Sequence, residues 1–104
     1  MPVRDCKLGL DTKIIEPVNL YECSLGDACF VGPFVEIQKG VSIGAHTKVQ
    51  SHSFICELVS IGEHCFIGHG VMFVNDLLSD GAPAGGDKSK WKATHIGNHV
   101  SIGS

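Results

Sequence analysis

Six histidines are the residues of this chain best suited to chemistry, because an imidazole can ligate a metal or carry a proton near neutral pH. Three of them repeat one local frame: His46, His64 and His99 occur in Ile-Gly-Ala-His, Ile-Gly-Glu-His and Ile-Gly-Asn-His. A residue that recurs together with its surroundings marks a repeated turn, where polar side chains satisfy corner backbone. His52 holds the equivalent place in a neighbouring repeat, so these four read as structural and no metal is expected. No C-x-x-C pair suggests zinc either. His69 and Asn75 stand outside that frame, and Asp76 follows directly. An imidazole, a carboxamide and a carboxylate are groups that orient a nucleophile and accept its proton.

What must position them is a strict period. Every sixth residue from Leu25 is apolar: Leu25, Val31, Ile37, Ile43, Val49, Ile55, Ile61, Ile67 and Phe73. Glycine follows five of these nine, and the residue two before each is small or β-branched. That is the pattern of a hexapeptide-repeat β-helix. Residues i−2 and i share parity and point inward, while i−1 and i+1 point out. Three such faces, here A, B and C, close a triangular coil of eighteen residues, and residues eighteen apart stack at about 4.8 Å. Coil one uses Leu25, Val31 and Ile37, coil two Ile43, Val49 and Ile55, and coil three Ile61, Ile67 and Phe73. The expected architecture is all-β, about three and a half coils forming a single domain of residues 1–104.

Residues 1–22 are weakly patterned and read as an irregular lead-in with a partial coil that caps the open end. Regular coils are expected over 23–74. The rhythm breaks after Phe73 and returns at Ile96 and Ile102, which places a glycine-rich loop over 75–93 and the start of a further coil over 94–104. Ser24, Ser42 and Ser60 form an outward polar ladder on face A. Faces B and C carry Phe30, Lys48 and Phe66, and Glu36, Phe54 and Met72, an apolar mixture that marks a partner surface. Stacking puts Ser51 under His69, and Lys39 and Glu57 under Asn75. Gln38 and Gln50 point outward beside that polar floor. It is a candidate ligand platform, and equally a ladder that only caps turns.

The net charge of −3 with no basic cluster offers no footprint for nucleic acid. No apolar run approaches the roughly 20 residues of a membrane span, and no signal peptide opens the chain. Five cysteines, an odd number, argue against a disulfide framework. Cys29 and Cys65 share an inward column two coils apart, roughly 9 to 10 Å, beyond bridging range. With Cys23 they read as small core residues, and a reducing cytoplasm is the simplest compartment.

The stretches Ile37-Gln-Lys-Gly, Val49-Gln-Ser-His-Ser-Phe-Ile-Cys-Glu and Phe66-Ile-Gly-His-Gly-Val-Met-Phe-Val-Asn-Asp, with the Trp91-Lys-Ala-Thr approach to the next repeat, resemble the left-handed β-helix acyltransferases. Within them the likeness is to the N-acetyltransferases of UDP- or dTDP-linked amino sugars, over about residues 18–104. The resemblance implies left-handed winding, a homotrimer, and acetyl-CoA lying along the outside of the helix at a subunit boundary. It implies that Asn75 lies beside the sugar amine with Asp76 next to it. Members of that family run on for several coils past the Ser-Ile-Gly repeat, so the chain is expected to be a truncated version.

Acetyl transfer needs an oriented neutral amine, a destination for its proton and donors for the carbonyl oxygen. Asn75 and Asp76 are the candidate orienting residues, and His69 is the candidate base. Gln38, Gln50, Glu57, Phe73 and Trp91 are the substrate-side candidates. Gly103 and Ser104 are those on the cofactor side, with backbone N–H groups near Gly68 or Gly103 as oxyanion donors. Two alternatives remain at this point. One is a non-catalytic binding or structural β-helix. The other resembles the β-helical carbonic anhydrases, whose His-x-x-x-x-His pair would need a histidine at Val74.

Overall fold

Hexads leave room for only two or three extended residues between corners, and the strands have that length. The computed structural model describes residues 3–75 and 92–103. Its strands are β1 (Val3–Arg4), β2 (Lys7–Leu8), β3 (Lys13–Ile14), β4 (Asn19–Tyr21), β5 (Ser24–Leu25), β6 (Phe30–Val31) and β7 (Glu36–Ile37). They continue as β8 (Ser42–Ile43), β9 (Lys48–Val49), β10 (Phe54–Ile55), β11 (Val59–Ile61), β12 (Phe66–Ile67), β13 (Thr94–Ile96) and β14 (Ser101–Ile102). Every third strand pairs in parallel up to β12, and β13 and β14 pair with β11 and β12, giving the sheets β2-β5-β8-β11-β13 on face A, β3-β6-β9-β12-β14 on face B and β1-β4-β7-β10 on face C. An isolated bridge from Phe54 to Met72 extends face C. This is a left-handed parallel β-helix.

The central coils pair at an offset of eighteen, as in Ser24 with Ser42 and Ser60, and Ile43 with Ile61. The offset becomes 35 where Val59 pairs with Thr94, so seventeen residues are inserted between those rungs. At the other end it is seventeen, as in Leu8 with Leu25 and Val3 with Leu20. Residues 3–21 therefore form rungs β1 to β4, a more regular segment than its apolar pattern suggests. The reason is the step length: Val3, Leu8, Ile14, Leu20 and Leu25 are spaced five, six, six and five. Two shortened corners, with Asp5 and Glu22 at φ 53° and 50°, hide the rungs from a count of six.

Corners turn through residues in the left-handed region, where Asp and His are enriched among side-chain-bearing residues. His46, His64 and His99 have φ of 60°, 55° and 58°, and their N–H groups donate to Asp27, Ala45 and Glu63 carbonyls at 2.8, 2.9 and 2.9 Å. Their rings stack at centroid distances of 4.8 and 5.0 Å. His52 (φ 66°) stacks on Phe34 at 4.9 Å.

The core is the paired inward columns, among them Leu20, Val31, Ile37, Val49, Ile55 and Ile67, each 0% exposed. Polar members of the i−2 column close the adjoining turns. Thr12, Cys29, Thr47 and Cys65 donate to the carbonyls of Gly26, Gly44, Gly62 and Gly97 at 2.9, 3.1, 2.8 and 2.9 Å. Ser53 does the same to Gly68 at 2.8 Å. Glycine is required where those corners nest: a Cβ on Gly44 would lie 2.6 Å from the Gly62 carbonyl carbon.

Candidate functional site

Asn75 lies two residues after Phe73, whose ring at 9% exposure is the last core side chain of face C among the described residues, so the core fixes where the asparagine emerges. Its side-chain Nδ2 donates to the Glu57 carbonyl at 3.2 Å, one coil below. Its own carbonyl accepts the Lys92 N–H at 2.6 Å, which clasps the two ends of the 76–91 segment. With Nδ2 committed to Glu57, the other end of the carboxamide, Oδ1, is an acceptor suited to an amine N–H.

A polar ladder runs beneath it up the corner between faces C and A. Glu57 N–H donates to Gln38 Oε1 at 3.2 Å, and Gln38 Nε2 donates to Glu36 Oε2 at 3.0 Å. Tyr21 sits below, and burial, then the Glu36 and Glu57 carboxylates, raise its phenol above the ordinary value; Arg4 and a hydrogen bond with Gln38 act the other way. The Arg4 guanidinium lies 5.3 Å from the Tyr21 ring centroid and donates to Asn19 Oδ1 at 3.0 Å. Lys39, eighteen residues below Glu57, is exposed, and the contact to Glu57 runs through Gln38. The outward parity of Gln38 is correct, yet its side chain is long enough to fold back onto the ladder.

His69 lies at the preceding corner, exposed, with Nδ1 3.0 Å from Ser51 Oγ. Ser51 also accepts the Gly70 N–H through its carbonyl at 3.0 Å. When Nδ1 carries the proton toward Ser51, Nε2 is the basic nitrogen, which is the tautomer a general base requires. His69 and Asn75 are six residues apart at successive corners, so a single chain does not bring them together.

Gln50 belongs to a third location. It lines a depression of about 440 Å³ on the outside of face B with Asp11, Lys13, Phe30 and Lys48. Strand pairing sets Phe30 between Lys13 and Lys48. Two ammonium groups flanking an aromatic surface suit a phosphate-bearing ligand with a ring to stack. Asp11 and Lys13 escaped the sequence reading because they lie in the lead-in; a register of seventeen would have placed Lys13 under Phe30.

Gly68 is not available as an oxyanion donor: its N–H donates to the Ile102 carbonyl at 2.8 Å, as ladder geometry demands. Gly103 is exposed and follows Ile102, which pairs with Ile67. Phe73 is a core ring, so its influence on any ligand passes through the placement of Asn75. Asp76, Trp91 and Ser104 lie outside the described residues. Among the described residues no three His, Cys, Asp or Glu side chains are grouped to hold a metal ion. No helix there is long and apolar enough to cross a membrane. On the outside of faces B and C, Phe66 and Met72 are 41% and 61% exposed, while Phe30 and Phe54 are half-buried.

Residues 22–57 match the bacterial transferase hexapeptide (six repeats) family. Over 98% of its length the chain is 30% identical to the bifunctional protein GlmU of Synechococcus sp. (strain CC9311). It spans about a quarter, 24%, of that relative's length, so the likeness is to one segment of a longer protein.

Proposed function

We propose that the chain is a segment of a hexapeptide-repeat acyltransferase that moves an acetyl group from acetyl-CoA to the amine of a UDP- or dTDP-linked amino sugar, a reading supported by the family match over residues 22–57. The observation that carries this reading is Asn75, whose carboxamide is anchored at 3.2 Å on the Glu57 carbonyl and whose backbone carbonyl accepts the Lys92 N–H at 2.6 Å. Oδ1 accepts an N–H of the sugar amine and aims the nitrogen lone pair, and Asp76, the next residue in the sequence, is the second candidate for that task. The nitrogen attacks the thioester carbonyl, the C–S bond breaks, and CoA leaves as thiol with a proton that originates on the amine. His69 Nε2 relays that proton, and backbone near Gly103 meets the carbonyl oxygen. His69 and Asn75 sit at different corners, so the site lies at a subunit boundary of a homotrimer packed through faces B and C. The Lys13, Phe30 and Lys48 depression suits the phosphate-bearing part of either substrate. All five cysteines are free thiols, which fits a cytoplasmic setting.

Asn75→Ala tests the site. Orientation of a nucleophile acts chiefly in the transition state, so kcat should fall at least as much as KM rises. His69→Ala should lower kcat by about 10²- to 10⁴-fold if imidazole is the base. Thiol release from acetyl-CoA with UDP- and dTDP-amino sugars is the assay. Undiminished turnover in both variants would show the site is elsewhere. A second reading, a non-catalytic binding β-helix, is favoured by Gln38, whose amide bonds to Glu36 and Glu57 are made within the chain. Sugar-nucleotide binding without thiol release, in a protein carrying any coils that follow residue 104, would select it.

A further inference from the structure

The inward column of face A begins with two thiols. Cys6 and Cys23 hold the i−2 places on successive rungs, where later coils place Val41 and Val59. The residues after them, Lys7 and Ser24, are paired in register, and Lys7 N–H donates to the Cys23 carbonyl at 3.0 Å. The two sulfurs are 3.3 Å apart, in direct contact. Cys23 is buried at 2% exposure, while Cys6 is only half-buried. The remaining thiols are occupied otherwise: Cys29 and Cys65 donate to glycine carbonyls with the Thr47 rung between them, and Cys56 is buried in another column.

We propose that Cys6 and Cys23 form a redox pair, closed by a peroxide into an intramolecular disulfide that rivets the first coil to the second. Stacked rungs set Cα atoms about 4.8 Å apart, inside the 4.4 to 6.8 Å that disulfides span. The sulfurs must approach by about 1.3 Å from their 3.3 Å contact to bond. Rotation about the two Cα–Cβ bonds supplies much of that. Burial, and next the contact with Cys6, push the Cys23 thiol up to about 12, so it stays protonated and Cys6 reacts first. The Cys6 thiolate attacks one peroxide oxygen, the O–O bond breaks, and a sulfenic acid and hydroxide result, the hydroxide taking up the proton that Cys6 released to become water. Cys23 sulfur then attacks Cys6 sulfur, the S–O bond breaks, and the leaving hydroxide takes the Cys23 proton. Two thiols and one hydrogen peroxide give one disulfide and two waters. The rivet pins the coil that carries Asp11 and Lys13 of the face B depression.

Treatment of the reduced full chain with a small excess of hydrogen peroxide tests this, read by thiol titration and by mass mapping of proteolytic fragments. The expected result is a fall from five titratable thiols to three in denaturant, one Cys6–Cys23 cross-linked fragment, and full reversal by dithiothreitol. Cys6→Ser, at the half-buried position, should abolish the cross-link, whereas Cys56→Ser should leave it. Five surviving thiols, a cross-link using another cysteine or another chain, or sulfinic acid on Cys6 with Cys23 still reduced would overturn the proposal.

Discussion

Thr47→Val is the substitution that best separates packing from hydrogen bonding in this helix. Thr47 is 0% exposed, and valine reproduces its β-branched shape with a methyl in place of the hydroxyl. Transfer free energy alone makes that exchange favourable, since a buried methylene-sized group contributes about 0.8 kcal/mol. The hydroxyl, however, donates to the Gly62 carbonyl at 2.8 Å and accepts the Cys65 N–H at 3.2 Å, both in the next coil. Valine takes a partner from each, and a buried group left unpaired costs about 1 to 3 kcal/mol. The half-buried Gly62 carbonyl can regain water, so the cost falls mainly on the Cys65 amide. The net expectation is destabilisation by about 1 to 2 kcal/mol, or roughly 4 to 16 °C in melting temperature for a domain of this size. Thr47→Ser keeps both bonds and loses one methyl, so it should cost only about 1 kcal/mol. Urea denaturation of the three proteins, followed by circular dichroism, decides the matter. A valine variant at least as stable as the parent would refute the assignment of this column as turn-closing donors.

Gly44→Ala should destabilise by about 1 to 3 kcal/mol as an overpacked corner, because its Cβ would meet the Gly62 backbone carbon at 2.6 Å; Gly97→Ala, with nothing within 4 Å, should be close to neutral, and denaturation midpoints compare them. Burial raises the Cys23 thiol from 9.0 to about 12 and shifts Cys29 and Cys56 the same way, so the folded state retains protons that the unfolded chain releases. That stability is present below pH 9.0 and is lost as pH rises toward 12, so the urea midpoint of reduced protein should fall between these limits and fall less in Cys23→Ala. Phe66, 41% exposed on face B, lies on the surface proposed to pack in the trimer. Phe66→Asp should shift the mass measured by light scattering toward that of a single chain, and an unmutated protein that is already monomeric would remove the interface.

The rungs from Leu25 to Phe73 were legible because each is an equal step of six and each places a hydrophobic side chain where burial demands one. The first coil was not, since its two five-residue steps shift the phase without altering the kinds of residue used. The same limit applies to chemistry. Stacking at eighteen placed Ser51 under His69 and Glu57 under Asn75. It did not reveal that the Asn75 side chain binds the Glu57 backbone carbonyl, because period fixes positions and not rotamers. Likewise Cys29, Thr47 and Cys65 read only as small inward residues. Their role as donors depends on a glycine carbonyl one coil further on, and no local pattern contains that atom.

The placement of the inserted segment explains how one rung can be varied without disturbing the others. The chain leaves after Phe73, with Phe73 N–H bonded to the Phe54 carbonyl at 3.0 Å, and it rejoins with Thr94 N–H on the Leu58 carbonyl at 2.9 Å. Both anchors belong to the coil below, and the 35-residue offset at Val59–Thr94 restores the stacking of face A. Closing a flexible connection costs only about 0.6 kcal/mol more per doubling of its length, so the rungs on either side of an insertion set little limit on how many residues it holds. Asn75 is the opposite case. Its side-chain Nδ2 is held from below by the Glu57 carbonyl and its own carbonyl by the Lys92 N–H, so both ends of the residue are tied to the helix. In the proposed function this held carboxamide is the group that aims the reacting nitrogen.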